Sequence, residues 1–155
     1  MPVRWILISN ASNARLYRDG SPTKPFSLHG SFEHPESRAK VRDLTTDMNG
    51  RKPSGGNGFA RPGAEPDTDP KQVEAQKFAR ELARELSTGL EEHAYDEVVI
   101  AAPPHFLGLL RHAVSTEVER HLIVTLDKDL THLAERDMER VVRDELHRKV
   151  GPGVT

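Results

Sequence analysis

The segment Val3–Ser9, VRWILIS, is apolar at consecutive positions rather than alternate ones. That pattern predicts a strand buried on both faces. Asn10-Ala11-Ser12-Asn13 follows and supplies turn residues. Ala14–Gly20 then alternates, with Leu16 on one face and Arg15 and Tyr17 on the other, which predicts a second strand hairpin-paired to the first. Ser27–His34 puts Leu28, Gly30, Phe32 and His34 on one face of a third strand, and Pro35 ends it.

No period runs through residues 36–69. Asp69 and Pro70 then supply an N-cap and a first-turn proline. Beyond them Ala75, Phe78, Ala79, Leu82, Ala83, Leu86 and Leu90 recur at spacings of three and four, the stripe of an amphipathic helix. Lys77, Arg80, Glu81, Arg84 and Glu85 fall on its opposite face, as a solvated surface requires. Asp96–Ala102 is a short apolar strand parallel to the first. Pro103-Pro104 closes it and launches a short helix, which Ser115–His121 continues or restarts. Leu122–Leu126 is the last strand. Asp127 or Asp129 caps a final helix whose stripe is Leu130, Leu133, Ala134, Met138, Val141, Val142 and Leu146.

A meander of three strands followed by two right-handed crossovers gives an α/β fold with a mixed five-stranded sheet, order 3-2-1-4-5, and three main helices. Strand 1 then lies beside strand 4, which accounts for the uniformly apolar character of both. Residues 1–150 form one domain, interrupted by the irregular stretch 36–69, and 151–155 is a frayed tail.

Composition sharpens this picture. Hydrophobic residues make up 35% of the 155 and charged residues 30%, with the apolar deficit concentrated in the middle of the chain. The absence of cysteine excludes disulfides and thiolate metal sites. No apolar run reaches membrane-spanning length, and WILI is too short for a signal peptide, so the expected location is the cytoplasm. The net charge of −2 argues against a globally basic nucleic-acid binder.

Charge is nonetheless uneven. Between Arg38 and Arg61 six cations (Arg38, Lys40, Arg42, Arg51, Lys52, Arg61) face two carboxylates (Asp43, Asp47), a local net of +4. A basic, glycine-rich stretch can contact phosphates without a preformed groove. Gly55-Gly56-Asn57-Gly58 permits close backbone approach, and the Asn57 carboxamide offers one donor and one acceptor side to a water. It is not a phosphate-binding loop of the P-loop kind, because no Gly-Lys-Ser/Thr follows.

A second candidate lies at the carboxyl end of strand 4, where open α/β sheets bind ligands. There Pro104, His105 and Arg111 are candidate pocket residues, and Gly108 allows close packing or ligand approach. The eight histidines hold no zinc-like ligand spacing, so no metal is expected. The sheet order is also that of ribonuclease H, yet strands 1 and 4 end in Ser9-Asn10 and Ala101-Ala102 with no metal-binding acids. No nucleophile elbow or dinucleotide fingerprint occurs. No cofactor is expected.

The element order resembles the central domain of the archaeo-eukaryotic class-I peptide release factors, which presents a Gly-Gly-Gln loop before a long helix and an apolar strand. Gly55 and Gly56 match the two glycines, and Asn57 stands where the glutamine would be. The blocks ESRAKVRDLTTDMNGR, FARPGAEPDTDPKQVEAQKFARELA and APPHFLGLLR look like signatures of a bacterial branch related to those factors, the host attachment protein family. The resemblance implies contact with the ribosome or tRNA, and through Asn57 hydrolysis of peptidyl-tRNA. Asn57 carries one methylene fewer than glutamine, and catalytic positioning is sensitive to shifts of about 1 Å. The reading that follows is a non-catalytic module that binds RNA, tRNA or the ribosome through Arg38, Lys40, Arg42, Arg51, Lys52, Gly55, Gly56, Asn57 and Arg61. The alternatives are a protein-interaction role in host attachment and a peptidyl-tRNA hydrolase.

Overall fold

The computed structural model describes residues 2–34 and 70–150. Strands β1 (Arg4–Ser9), β2 (Asn13–Asp19) and β3 (Ser27–Glu33) come first. Helix α1 (Pro70–Glu91), β4 (Glu97–Ala101), α2 (Pro104–Ala113), α3 (Thr116–Arg120), β5 (Leu122–Leu126) and α4 (Glu135–Val150) follow. The strands form one sheet in the order β3-β2-β1-β4-β5. β1 pairs antiparallel with β2 and parallel with β4.

Each residue of β1 is buried, because both sheet faces are covered. Trp5 and Leu7 point to one side and pack with Phe78, Leu82 and Leu86 of α1 and Phe106 and Leu110 of α2. Ile6 and Ile8 point to the other and pack with Met138, Val142 and Leu146 of α4. The α1 stripe matches the periodicity as far as Leu86, with Glu74 and Gly89 buried in addition and Leu90 only partly buried. α1 closes through a left-handed residue, His93 at φ 58°, while Ala94 N donates to Gly89 O at 2.8 Å, the bonding pattern of a Schellman C-cap.

Arg4 is buried at the start of the central strand, opposite Asp19 on one neighbour and Glu97 on the other. Its guanidinium reaches both carboxylates, at 3.2 and 3.0 Å. Arg143 of α4 approaches the other oxygen of Asp19 at 3.6 Å and stacks over Phe26, 4.6 Å from the ring centre. The buried charges are thus paired across three strands and a helix, as burial demands.

Two expectations need correction. Leu28 does not share a face with Gly30, Phe32 and His34. Gly30 lies opposite Leu16 and Leu28 opposite Tyr17, so His29 is the extra residue of a β-bulge and the alternation flips there. Leu28 ends up exposed, while His29 rests on Trp5 with ring centres 4.9 Å apart. The final helix starts at Glu135, so Leu130, Leu133 and Ala134 precede it and neither Asp127 nor Asp129 is its cap. Asp129 instead closes a turn on the backbone N–H of Thr131. The three main helices are α1, α2 and α4, and of the two alternatives for Ser115–His121 the structure has the restart. Val114 is extended and Ser115 accepts from Val118 N at 3.1 Å, so α3 is a separately capped helix.

Candidate functional site

The carboxyl ends of β1, β4 and β5 gather polar side chains from several turns. Asn10, directly after β1, accepts from the backbone N–H groups of Ser12 and Asn13 at 2.8 and 2.9 Å, which fixes the β1–β2 turn. Its amide nitrogen donates to Thr131 Oγ1 at 3.0 Å and to Asp129 Oδ2 at 3.3 Å, tying that turn to the segment after β5. Arg15 donates to Thr131 O at 2.8 Å. Burial pushes the Asp129 carboxyl up, but hydrogen bonds from the Thr131 hydroxyl and N–H and from Asn10 outweigh it, and the net shift is downward.

Beside this cluster lies His34, directly after β3. Its backbone N–H donates to Ser12 O at 2.7 Å. Its ring stacks on Phe78, with centres 5.4 Å apart and planes 18° from parallel. Nε2 meets Glu74 Oε1 at 2.9 Å, and Lys77 Nζ meets Glu74 Oε2 at 3.4 Å. The hydrogen bond from His34 is the main reason the Glu74 carboxyl titrates below the usual range, against the opposing effect of its own burial. His34 precedes residue 35 and Glu74 lies in the opening turns of α1, so the chain leaves and rejoins the described body at one point.

The sequence-predicted residues divide around that point. Arg38, Lys40, Arg42, Arg51, Lys52, Gly55, Gly56, Asn57 and Arg61 lie outside the described residues. Pro104 occupies the first turn of α2, after Pro103 in extended conformation. His105 Nε2 meets Gln72 Oε1 of α1 at 2.7 Å, close to Glu74 in sequence. Arg111 sits near the other end of α2. It pairs with Glu119 of α3 at 3.3 Å and lines a shallow groove of about 230 Å³ along Leu122–Thr125 of β5. The structure therefore brings His105, but not Arg111, to the root of the basic segment.

Reading the sequence missed the pairing of His34 with Glu74. Its signal was a carboxylate inside an apolar stripe, at position 74 of the run 74, 75, 78, 79, 82, 83, 86. Among the described residues no group of three His, Asp or Glu side chains is arranged to hold a metal ion. No helix among them is long and apolar enough to cross a membrane.

No curated protein matches the chain. Among solved structures, the crystal structure of the archaeal translation termination factor aRF1 is similar over 97% of this chain, with TM-score 0.49 and 12% identity. The chain spans 42% of the length of that protein. Residues 5–142, which include both sides of the site around His34 and Glu74, match the family described as "Protein required for attachment to host cells", and the chain belongs to that family.

Proposed function

We propose that this protein is a non-catalytic binding module that contacts RNA, as tRNA or on the ribosome, through the basic, glycine-rich stretch Arg38–Arg61 of the segment between His34 and Pro70. The observation that carries the reading is the bond between His34 and Glu74, which fastens both ends of that segment to the carboxyl edge of the sheet. The net charge of +4 between Arg38 and Arg61, flanked by Glu36 on one side and Glu65, Asp67 and Asp69 on the other, supplies a local attraction for phosphate. The Gly55-Gly56-Asn57-Gly58 run allows close backbone approach to a partner.

Sedimentation of the protein with ribosomes at low and high salt, beside a variant lacking residues 51–61, tests this. The expected result is co-sedimentation that weakens with salt and vanishes with the deletion. Absence of co-sedimentation at low salt in the intact protein overturns it. Asn57→Ala is expected to change no peptidyl-tRNA cleavage.

The family description favours a second reading, in which the same segment engages a protein during attachment to a host cell. Detection of the protein on the cell exterior, together with no affinity for ribosomes, would support it.

A further inference from the structure

α1 and α2 lie side by side and run in the same direction. Gln72 meets His105, and further along Gln76, Ala79 and Arg80 of α1 and Leu109, His112 and Ala113 of α2 line a groove of about 250 Å³. The seam starts at the root of the basic segment and extends about 12 Å along α1 from Gln72 to Arg80, at 1.5 Å per residue.

Its charge is one-sided. Along α1 from Gln72 to Arg80 the one carboxylate, Glu74, is buried and engaged by His34 and Lys77, and α2 has none, while Lys77, Arg80, His105, Arg111 and His112 are present. Lys77 is engaged by Glu74 and Arg111 by Glu119. Arg80 and His112 are exposed, and among the described residues neither forms an ion pair. Ala79 and Ala113 line the groove between them, and their small side chains leave the Arg80 guanidinium and the His112 imidazole standing on opposite banks. Gln76 adds a neutral donor. An open groove with basic groups on both sides fits an extended polyanion passing over it better than an enclosed small molecule.

From this placement we infer that the α1–α2 seam is a track for the phosphate backbone of RNA, with Arg80 and His112 as its contacts two turns from the segment's root. The inference rests on the RNA-binding reading above and adds a second surface to it.

The test is fluorescence anisotropy of a short labelled single-stranded RNA against the full chain across a salt series. Arg80→Gln is expected to reduce the slope of log affinity against log salt by about 0.7, the value for one phosphate contact on a single strand, and to weaken binding roughly five- to tenfold at low salt. His112→Gln is expected to weaken binding further in the double variant. Arg136→Gln on α4, which packs on the opposite face of the sheet, is expected to bind as the intact protein does. Arg80 and His112 are exposed, and equal melting temperatures confirm that the variants fold.

Unchanged affinity and slope in the double variant, with binding lost on deletion of residues 51–61, overturns the track and leaves the segment's role standing. Equal loss in Arg136→Gln overturns it as well, since attraction would then be general to the surface. Equal Arg80 dependence for polyglutamate overturns the assignment to RNA. No RNA binding by the intact protein overturns both readings.

Discussion

His34 and Glu74 meet at 2.9 Å although 40 positions separate them in sequence, and Glu74 does so from within the apolar stripe of α1. A buried carboxylate is tolerated there because His34 and Lys77 both engage it. Replacing it with alanine removes the acceptor that His34 and Lys77 share. Glu74→Ala is therefore expected to destabilise the fold by about 1.5–3 kcal/mol, the range for hydrogen bonds to charged groups. Urea denaturation measures the loss. A change below about 0.5 kcal/mol, typical of surface substitutions, would show the contact to be incidental.

The same contact gives a pH dependence. The Glu74 carboxyl is held below its ordinary value of 4.5 in the folded chain. Its ionised form is thus favoured by folding, and the stability it contributes is fully present above the unfolded value. That contribution is lost as pH falls through the lower folded value. The stability gap between the native protein and Glu74→Gln should be constant from neutral pH down to about 5 and then narrow with acid. A gap that stays constant down to pH 3 would contradict this assignment.

Gly89 lies against Trp5 so closely that a β-carbon would fall inside the contact distance of the indole. The ring has little room to yield, since it is buried between Tyr95 and His29, with ring centres 4.8 and 4.9 Å away. Gly89→Ala is expected to destabilise by about 1–3 kcal/mol through overpacking, despite alanine's better helix propensity. Gly108→Ala on α2, where a β-carbon meets nothing within 4 Å, is the control and should stabilise by up to about 1 kcal/mol. Thermal melts of the two variants moving in the same direction would refute the packing argument.

Asp19 is buried and serves two arginines, Arg4 at 3.2 Å and Arg143 at 3.6 Å. Asp19→Ala strands the buried Arg4 guanidinium with only Glu97, and should cost about 3–5 kcal/mol. Arg120→Ala, which breaks an exposed pair with Glu117, should cost less than about 1 kcal/mol. Equal losses in the two variants, read from chemical denaturation, would remove the distinction.

His93 carries a left-handed backbone at the end of α1, a conformation that glycine adopts without steric cost. His93→Gly is expected to raise stability by about 0.5–1 kcal/mol, read as a higher melting temperature. A lower melting temperature would mean that the imidazole makes a contact worth more than the strain.

Much of the fold was legible because burial leaves a periodic trace. The all-apolar β1 and β4 announced a central parallel pair, and the α1 stripe appeared at its full length. What failed was local geometry that periodicity does not encode. The bulge at His29 flips the face of Leu28 without changing any residue type. Leu130, Leu133 and Ala134 sit at helical spacing with Met138, yet the turn that Asp129 makes with Thr131 delays the helix to Glu135. The site was less visible than the fold, since its chief contact joins a strand end to a helix 40 residues away. His105 drew notice by its place after a buried strand, whereas Arg80 and His112 read as ordinary surface residues, since only the packing of α1 beside α2 puts them on one groove.

The position of β1 also sets the order of events during synthesis. Arg4 pairs with Glu97, so the innermost strand is made first and its parallel neighbour 93 residues later. At about 5–20 residues per second, the nascent meander carries an apolar edge open for roughly 5–20 s before β4 emerges to close it. Through that interval β1 is an unprotected template for pairing with other chains, and the long central segment lengthens the wait.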